Sequence, residues 1–162
     1  MPALLANADF YGTLAAARSL GRHGISVTVA HPTHLGAASW SKYAARTVTC
    51  PPTLASEDFL AWLLDFGRKE PGHVLYPTID DMAFICAAHR FELSRWFRLY
   101  KPPLDAIYAL LNKRRLFEEG RAAGLALPHT WVTQSPADLE ALAQTVTGPV
   151  MIKPVTQILF AS

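Results

Sequence analysis

Between Ala3 and Ala30 the chain runs Ala-Leu-Leu-Ala-Asn-Ala-Asp-Phe-Tyr-Gly-Thr-Leu-Ala-Ala-Ala-Arg-Ser-Leu-Gly-Arg-His-Gly-Ile-Ser-Val-Thr-Val-Ala. Its first four residues are apolar without alternation, the pattern of a strand covered on both faces, and the polar Asn7 and Asp9 end it. Thr13 to Arg22 is rich in good helix formers, with Leu14, Ala17 and Leu20 on one side and Gly24 placed to stop it. Ile25 to Ala30 is β-branched and alternating, and reads as a second strand. Strand, helix and strand in so short a span make one βαβ unit.

The same rhythm continues outward from this unit. His31-Pro32-Thr33-His34 breaks regular structure, residues 35–46 are ambiguous, and Thr47 to Cys50 fits a short strand before Pro51-Pro52. Ser56 reads as an N-cap. Behind it Phe59, Leu60, Leu63 and Leu64 recur at helical spacing, and Glu57 and Asp58 suit the positive end of the helix. Pro71-Gly72 closes that helix and His73 to Tyr76 predicts a core strand. The next helix carries Phe84, Ile85 and Ala88 on one face. Arg98 to Lys101 predicts a further short strand, and Leu104 to Leu111 a short helix.

Around residue 112 the pattern changes. Asn112 fits as an N-cap for a helix from Lys113 to Ala123, which buries Leu116, Phe117, Gly120 and Ala123 and finishes on Gly124. Pro128 to Thr133 reads as a strand. Ser135-Pro136-Ala137-Asp138 starts another helix, Gly148-Pro149 ends it, and Val150 to Lys153 begins one more strand. The expected fold is α/β, a Rossmann-like doubly wound parallel sheet over residues 1–111 followed by a partial subdomain over residues 112–162.

Composition narrows the function. A chain of 162 residues, 51% hydrophobic and 17% charged, buries a real core. Its net charge of +2 comes from 15 basic and 13 acidic residues spread along the chain, which leaves no footprint for nucleic acid. Cys50 and Cys86 lack disulfide or zinc spacing and read as small buried hydrophobes in a reducing cytoplasm. The amino terminus has no basic region ahead of an apolar run, and no apolar run approaches the roughly 18 residues of a membrane helix, so a cytoplasmic protein with no membrane association is expected. Oligomeric state is open, and a homo-oligomer is compatible with it.

In an open α/β sheet ligands bind beyond the carboxyl ends of the strands, where Asn7, Asp9, Thr78 and Asp80 fall. The first turn, Ala6 to Gly12, has one glycine where a dinucleotide-binding turn has three, which disfavours NAD or FAD. Asn7 and Asp9 also suit turn and cap duty, and that structural role is favoured; Phe10, Tyr11 and Gly12 read as packing and turn residues. In Pro77-Thr78-Ile79-Asp80-Asp81 capping needs at least one polar residue, and adjacent carboxylates on a helix do not face each other. Lys113-Arg114-Arg115 sets cations against the helix macrodipole, a conflict that a phosphate at that N-terminus resolves; a solvated basic turn explains it equally well. Lys153 ends an apolar strand, where a lysine also simply reaches water.

Two segments together resemble the opening of the ATP-grasp domain: Asn112-Lys113-Arg-Arg-Leu-Phe-Glu-Glu-Gly-Arg-Ala-Ala-Gly124-Leu-Ala-Leu-Pro128, and Gly148-Pro149-Val-Met-Ile-Lys153-Pro154. Upstream, Arg18-Ser-Leu-Gly-Arg-His-Gly24-Ile-Ser-Val and Tyr76-Pro-Thr-Ile-Asp80 resemble the pre-ATP-grasp domain of the carbamoyl-phosphate synthase and carboxylate-amine ligase branch. The resemblance implies that Lys113 contacts nucleotide phosphates and that Lys153 reaches the α-phosphate and adenine edge. It also implies that Asn7, Asp9, Thr78 and Asp80 border the substrate. Such enzymes use ATP and Mg2+ to activate a carboxylate as an acyl phosphate, which an amine then attacks.

The glycine-rich phosphate loop, adenine hinge and late Glu and Asn magnesium ligands expected after Lys153-Pro154 do not follow in Val155 to Ser162. The expectation is therefore the N-terminal part of an ATP-dependent ligase, inactive alone and binding ATP weakly or not at all, with the apolar Ile158 to Phe160 free to pair with another chain. The alternatives are a non-catalytic α/β module that binds a small ligand or partner protein, and a nucleotide-sugar transferase domain.

Overall fold

The computed structural model describes residues 1–156. It forms two compact units, one over Met1–Ile107 and a second beginning at Tyr108. Four parallel strands, β1 (Ala3–Ala6), β2 (Val27–His31), β3 (Ala44–Thr49) and β4 (Val74–Leu75), stand in the order β3-β2-β1-β4. Between and after them lie α1 (Tyr11–Arg22), α2 (Ser56–Lys69), α3 (Asp80–Ala88), α4 (Arg90–Leu93) and α5 (Leu104–Leu111). The order reverses at β1, which pairs β2 on one side and β4 on the other, so the crevice of a doubly wound sheet opens beyond the end of β1.

Successive residues of a strand point to opposite faces, and here both faces are covered. Leu4, Ala6 and Ala30 pack with Phe59, Leu63 and Phe66 of α2 and Met82 and Ile85 of α3. Leu5, Val27 and Val29 pack instead with Ala17 of α1, Ala8 and Ala38. Every residue of β1 and β2 is therefore buried, including Thr28 and His31. The apolar run at residues 3–6 is explained by this burial, whereas the alternation read at 25–30 does not correspond to one wet face.

Several elements differ from the sequence reading. Ser56 is already the first helical residue of α2 and caps nothing, the N-cap being Ala55. The strand expected over 73–76 shrinks to Val74–Leu75, held between Gly72, whose φ is +95°, and Pro77. The strand expected over 98–101 is one bridge, between Val74 and Arg98. On α3 the buried stripe is Met82, Ile85 and Cys86, because i, i+3 and i+4 face the sheet; Phe84 and Ala88 sit at the edge of that face, half-buried. Tyr11, expected to pack, is 79% exposed.

The second unit contains α6 (Lys113–Ala122) and α7 (Pro136–Ala143). Asn112 caps α6, its side chain accepting from the Arg115 amide, and Gly124 leaves the helix at φ +73° as anticipated. Ser135 and Asp138 form a reciprocal capping box on α7 with Pro136 in the first turn. The expected burial on α6 reduces to Gly120; Leu116 is 44% exposed and Ala123 is exposed. Residues 128–133 and 150–153 form no ladder among the described residues. A strand needs a neighbour for its N–H and C=O groups, and the apolar Val150, Met151 and Ile152 lie exposed. The apolar tail Ile158 to Phe160 lies outside the described residues.

Candidate functional site

The carboxyl ends of β1, β2 and β3, with the first turn of α3, build a cavity of about 300 Å³ whose wall includes Asn7, Asp9, His31, Cys50, Thr53 and Asp81. The β1 exit sets its shape. Asn7 takes φ +62°, a left-handed conformation that asparagine tolerates better than most residues, and Ala8 returns the chain into the core. Gly36 crosses close above this turn: a Cβ there would stand 2.4 Å from that of Ala8. The Ala38 amide donates to the Ala8 carbonyl at 2.9 Å and fastens the loop after β2 over it.

Asp9, released to the surface, accepts from His31 Nε2 at 2.8 Å. His31 Nδ1 lies 2.7 Å from the Thr33 carbonyl and 3.2 Å from the Thr33 amide. A carboxylate only accepts, so Nε2 carries a proton. The imidazole is thus held at both nitrogens, and its side chain is 9% exposed against 68% for Asp9.

Thr78 is placed differently from its expected role. Its hydroxyl and that of Thr13 lie 2.7 Å apart, one donating to the other, and both are within reach of the Ala6 carbonyl, at 3.3 and 3.2 Å. This pair fastens the loop after β4 to the end of β1 and to α1. Neither Asp80 nor Asp81 caps α3, whose N-cap Ile79 makes no side-chain capping bond; both lie in the first turn, facing the positive end of the helix. Asp80 is exposed and does not line the cavity. Asp81 lines it, and burial, with Asp80 beside it, pushes its carboxyl above the ordinary range. Burial also pushes the Cys50 thiol up to about 12.

The structure therefore brings Asn7 and Asp9 to one wall, with Thr78 behind them as a fastener and Asp80 outside. His31, Thr53 and Asp81 are the residues sequence reasoning did not select. A histidine that ends a β-branched strand immediately before a proline was the available signal for His31. Thr53 gave none.

A second cavity, of about 540 Å³, lies toward the amino end of β4 against Gly72, Trp96 and the exposed cations Arg95, Arg98 and Lys101. It is remote from the strand carboxyl ends where an α/β sheet presents its chemistry.

In the second unit the Lys113 amide donates to the Val155 carbonyl at 2.8 Å, bringing the start of α6 to the segment just past Lys153. That bond and the Asn112 cap occupy the amides of Lys113 and Arg115. Arg114 pairs with Glu118 one turn on, and the Arg115 guanidinium lies 5.7 Å from the Tyr108 ring centre. The backbone N–H groups expected to converge on a phosphate are thus mostly engaged within the protein, and the charge conflict at this turn is partly relieved by Glu118. The side chains of Lys113 and Lys153 make no hydrogen bond or ion pair among the described residues.

Among the described residues no three His, Cys, Asp or Glu side chains converge as a metal site, and no helix is long and apolar enough to cross a membrane.

No protein-family model matches the chain, and no curated protein matches it in sequence. Solved structures do match in fold, among them three ATP-grasp ligases. The L-amino acid ligase from Bacillus licheniformis superposes with a TM-score of 0.70 at 17% identity, over 98% of this chain and 38% of that one. N5-carboxyaminoimidazole ribonucleotide synthetase from Thermotoga maritima gives 0.54 at 13% identity, over 87% of this chain and 36% of that protein. The biotin carboxylase domain of a single-chain bacterial carboxylase gives 0.52 at 14%, over 90% of this chain and 34% of that one. This chain shares its α/β fold with part of each of these three ligases, and it spans little more than a third of the length of each.

Proposed function

We propose that this chain is the N-terminal part of an ATP-dependent carboxylate-amine ligase, with a pre-ATP-grasp domain over residues 1–111 and the start of the ATP-grasp domain from residue 112. The observation that carries the reading is the fold likeness to an L-amino acid ligase over 98% of the chain. The Lys113 amide bond to Val155 supports it, because it draws together the two segments that hold the ATP-grasp lysines. In this reading Lys113 and Lys153 meet nucleotide phosphates as point charges. Asn7, Asp9, Thr78 and Asp80 border the substrate end, Thr78 by fastening the loop rather than by contact.

The chemistry transfers the γ-phosphoryl group of ATP to a carboxylate, and the amine then attacks the acyl carbon, releasing phosphate and losing a proton. No three His, Cys, Asp or Glu side chains among the described residues converge to hold a magnesium ion. We propose that the chain alone is inactive and that the reaction belongs to a longer protein acting in the cytoplasm.

The test is to sequence the gene beyond codon 162 and assay the product of the whole reading frame. The expected result is a downstream glycine-rich loop with late Glu and Asn residues, and phosphate release from ATP that requires both an acid and an amine. Lys153→Ala in that protein should weaken nucleotide binding. A frame that closes at residue 162, or a whole-frame product that binds no ATP, would overturn the reading.

A further inference from the structure

The cavity of about 540 Å³ at the amino end of β4 is walled by the stretch from Ser94 to Leu99 with Lys101, facing Pro71 and Gly72. Backbone bonds fix that stretch against β4. The Arg98 amide donates to the His73 carbonyl at 2.9 Å, and the Leu75 and Gly72 amides donate to the carbonyls of Arg98 and Trp96 at 2.8 Å. Leu93 and Phe97 anchor it in the core, so the wall is held in shape by the first unit.

Its charge is of one sign. Arg95, Arg98 and Lys101 line the cavity at every third residue, and among the described residues no carboxylate does. None of the three side chains makes an ion pair or hydrogen bond among the described residues. The carboxylates nearest in sequence are turned elsewhere, Glu70 to Arg46 at 2.6 Å and Glu92 toward His89 at 3.5 Å. A backbone donor adds to the cations. The bonds to β4 use one edge of the stretch, and the half-buried Leu99 leaves its N–H without an acceptor among the described residues. A half-buried donor left unpaired costs free energy, and like charges around a low-dielectric cleft focus their field into it. Both are relieved by an anion.

We propose that this cavity binds a small molecule carrying a phosphate group, held by Arg95, Arg98 and Lys101 with the Leu99 amide as a further donor. A phosphate dianion offers acceptors only, the complement of this wall, and a guanidinium fork pairs with two of its oxygens at once. A volume of about 540 Å³ exceeds the needs of a bare ion, and Trp96 and Leu99 give the rest of the molecule an apolar surface. Cations along a sheet edge also discourage pairing with another strand. That role requires neither a cavity nor an unpaired donor. The site is independent of the ligase reading, because none of its lining residues comes from the second unit.

The test is a titration of the 162-residue chain with phenyl phosphate and, separately, inorganic phosphate at constant ionic strength, followed by backbone amide NMR. The amides of Gly72, Arg95, Leu99 and Lys101 should shift saturably, and phenyl phosphate should bind more tightly because its ring meets the apolar wall. Arg98→Gln should weaken binding about tenfold, the loss expected for one charge-assisted hydrogen bond. Lys101→Gln, outside the bridge that joins Arg98 to β4, should weaken it as well without touching the fold. Arg18→Gln, exposed on α1, removes the same charge and should leave binding unchanged. Shifts that do not saturate, shifts reproduced by chloride at the same ionic strength, phenyl phosphate binding no tighter than phosphate, or equal losses in Arg98→Gln and Arg18→Gln each overturn the proposal.

Discussion

His31 Nε2 stands 2.8 Å from Asp9 Oδ2, a buried imidazole joined to an exposed carboxylate across the ends of β1 and β2. Asp9→Ala leaves a buried N–H without its partner. Asp9 is mostly solvated, so the loss should be modest, about 1 kcal/mol, read as a lower midpoint in urea unfolding. The His31 side-chain nitrogen spectrum should show a proton on Nε2 in the parent chain. A bare Nε2 there would contradict the assigned donor.

Asn7 occupies φ +62° at the turn that opens the cavity. Glycine takes that conformation freely and a β-branched side chain does not. Asn7→Gly should therefore fold with stability within about 0.5 kcal/mol of the parent, whereas Asn7→Val should lose about 2 kcal/mol. Equal unfolding midpoints for the two variants would show that the turn is not held in this conformation.

Gly67 is buried on α2 where the chain after α4 packs against it. A Cβ there would lie 2.6 Å from a Phe97 ring carbon and 2.8 Å from the Trp96 Cβ. Alanine in mid-helix gains up to about 1 kcal/mol of propensity over glycine, but the overlap with a buried ring and a backbone-fixed carbon costs about 1–3 kcal/mol. The clash should win, so Gly67→Ala is expected to unfold at lower denaturant and to shift the Phe97 and Trp96 resonances.

The first unit was largely legible because its signals are local and agree with its packing. The apolar run Ala3–Ala6, the helix formers of α1 and the β-branched Val27 to Val29 each point to the element they form, and burial on both faces reinforces them. Residues 128–133 and 150–153 misled: their apolar patterns suggest strands, yet they form no ladder among the described residues. Asn7 and Asp9, selected for their position at a strand end, line the candidate cavity. His31 and Thr53, which line the same cavity, were not selected, because what brings them to it crosses loops that no local period encodes. Thr78 was selected for its hydroxyl, and that hydroxyl bonds Thr13 and Ala6 instead.

Ser135 and Asp138 hold α7 by two reciprocal bonds, the Asp138 amide to the Ser135 hydroxyl at 3.1 Å and the Ser135 amide to Asp138 Oδ2 at 3.0 Å. The helix buries none of its residues, so little else fixes its start. Ser135→Ala should cost about 1 kcal/mol locally. Faster hydrogen exchange confined to α7, with unchanged protection in β1 and β2, is the expected signature.

Both thiols, Cys50 and Cys86, are buried, and burial pushes each from an ordinary value of 9.0 up to about 12. At neutral pH neither should react with a thiol reagent until the chain unfolds, since the thiolate is the reactive form. The same shift couples to stability. Below pH 9 both states hold the thiol protons and the contribution is complete; above it the unfolded chain releases them while the folded chain keeps them. The slope of stability with pH is then negative, about 1.4 kcal/mol per pH unit for each thiol while only the unfolded state is ionised. The contribution is progressively lost as pH approaches 12. Replacing both cysteines with alanine should flatten that decline in urea unfolding measured from pH 8.5 to 10.5. An unchanged slope would mean that the thiols ionise equally well in the folded chain, and that the wall of the cavity at Cys50 is wetter than its burial implies.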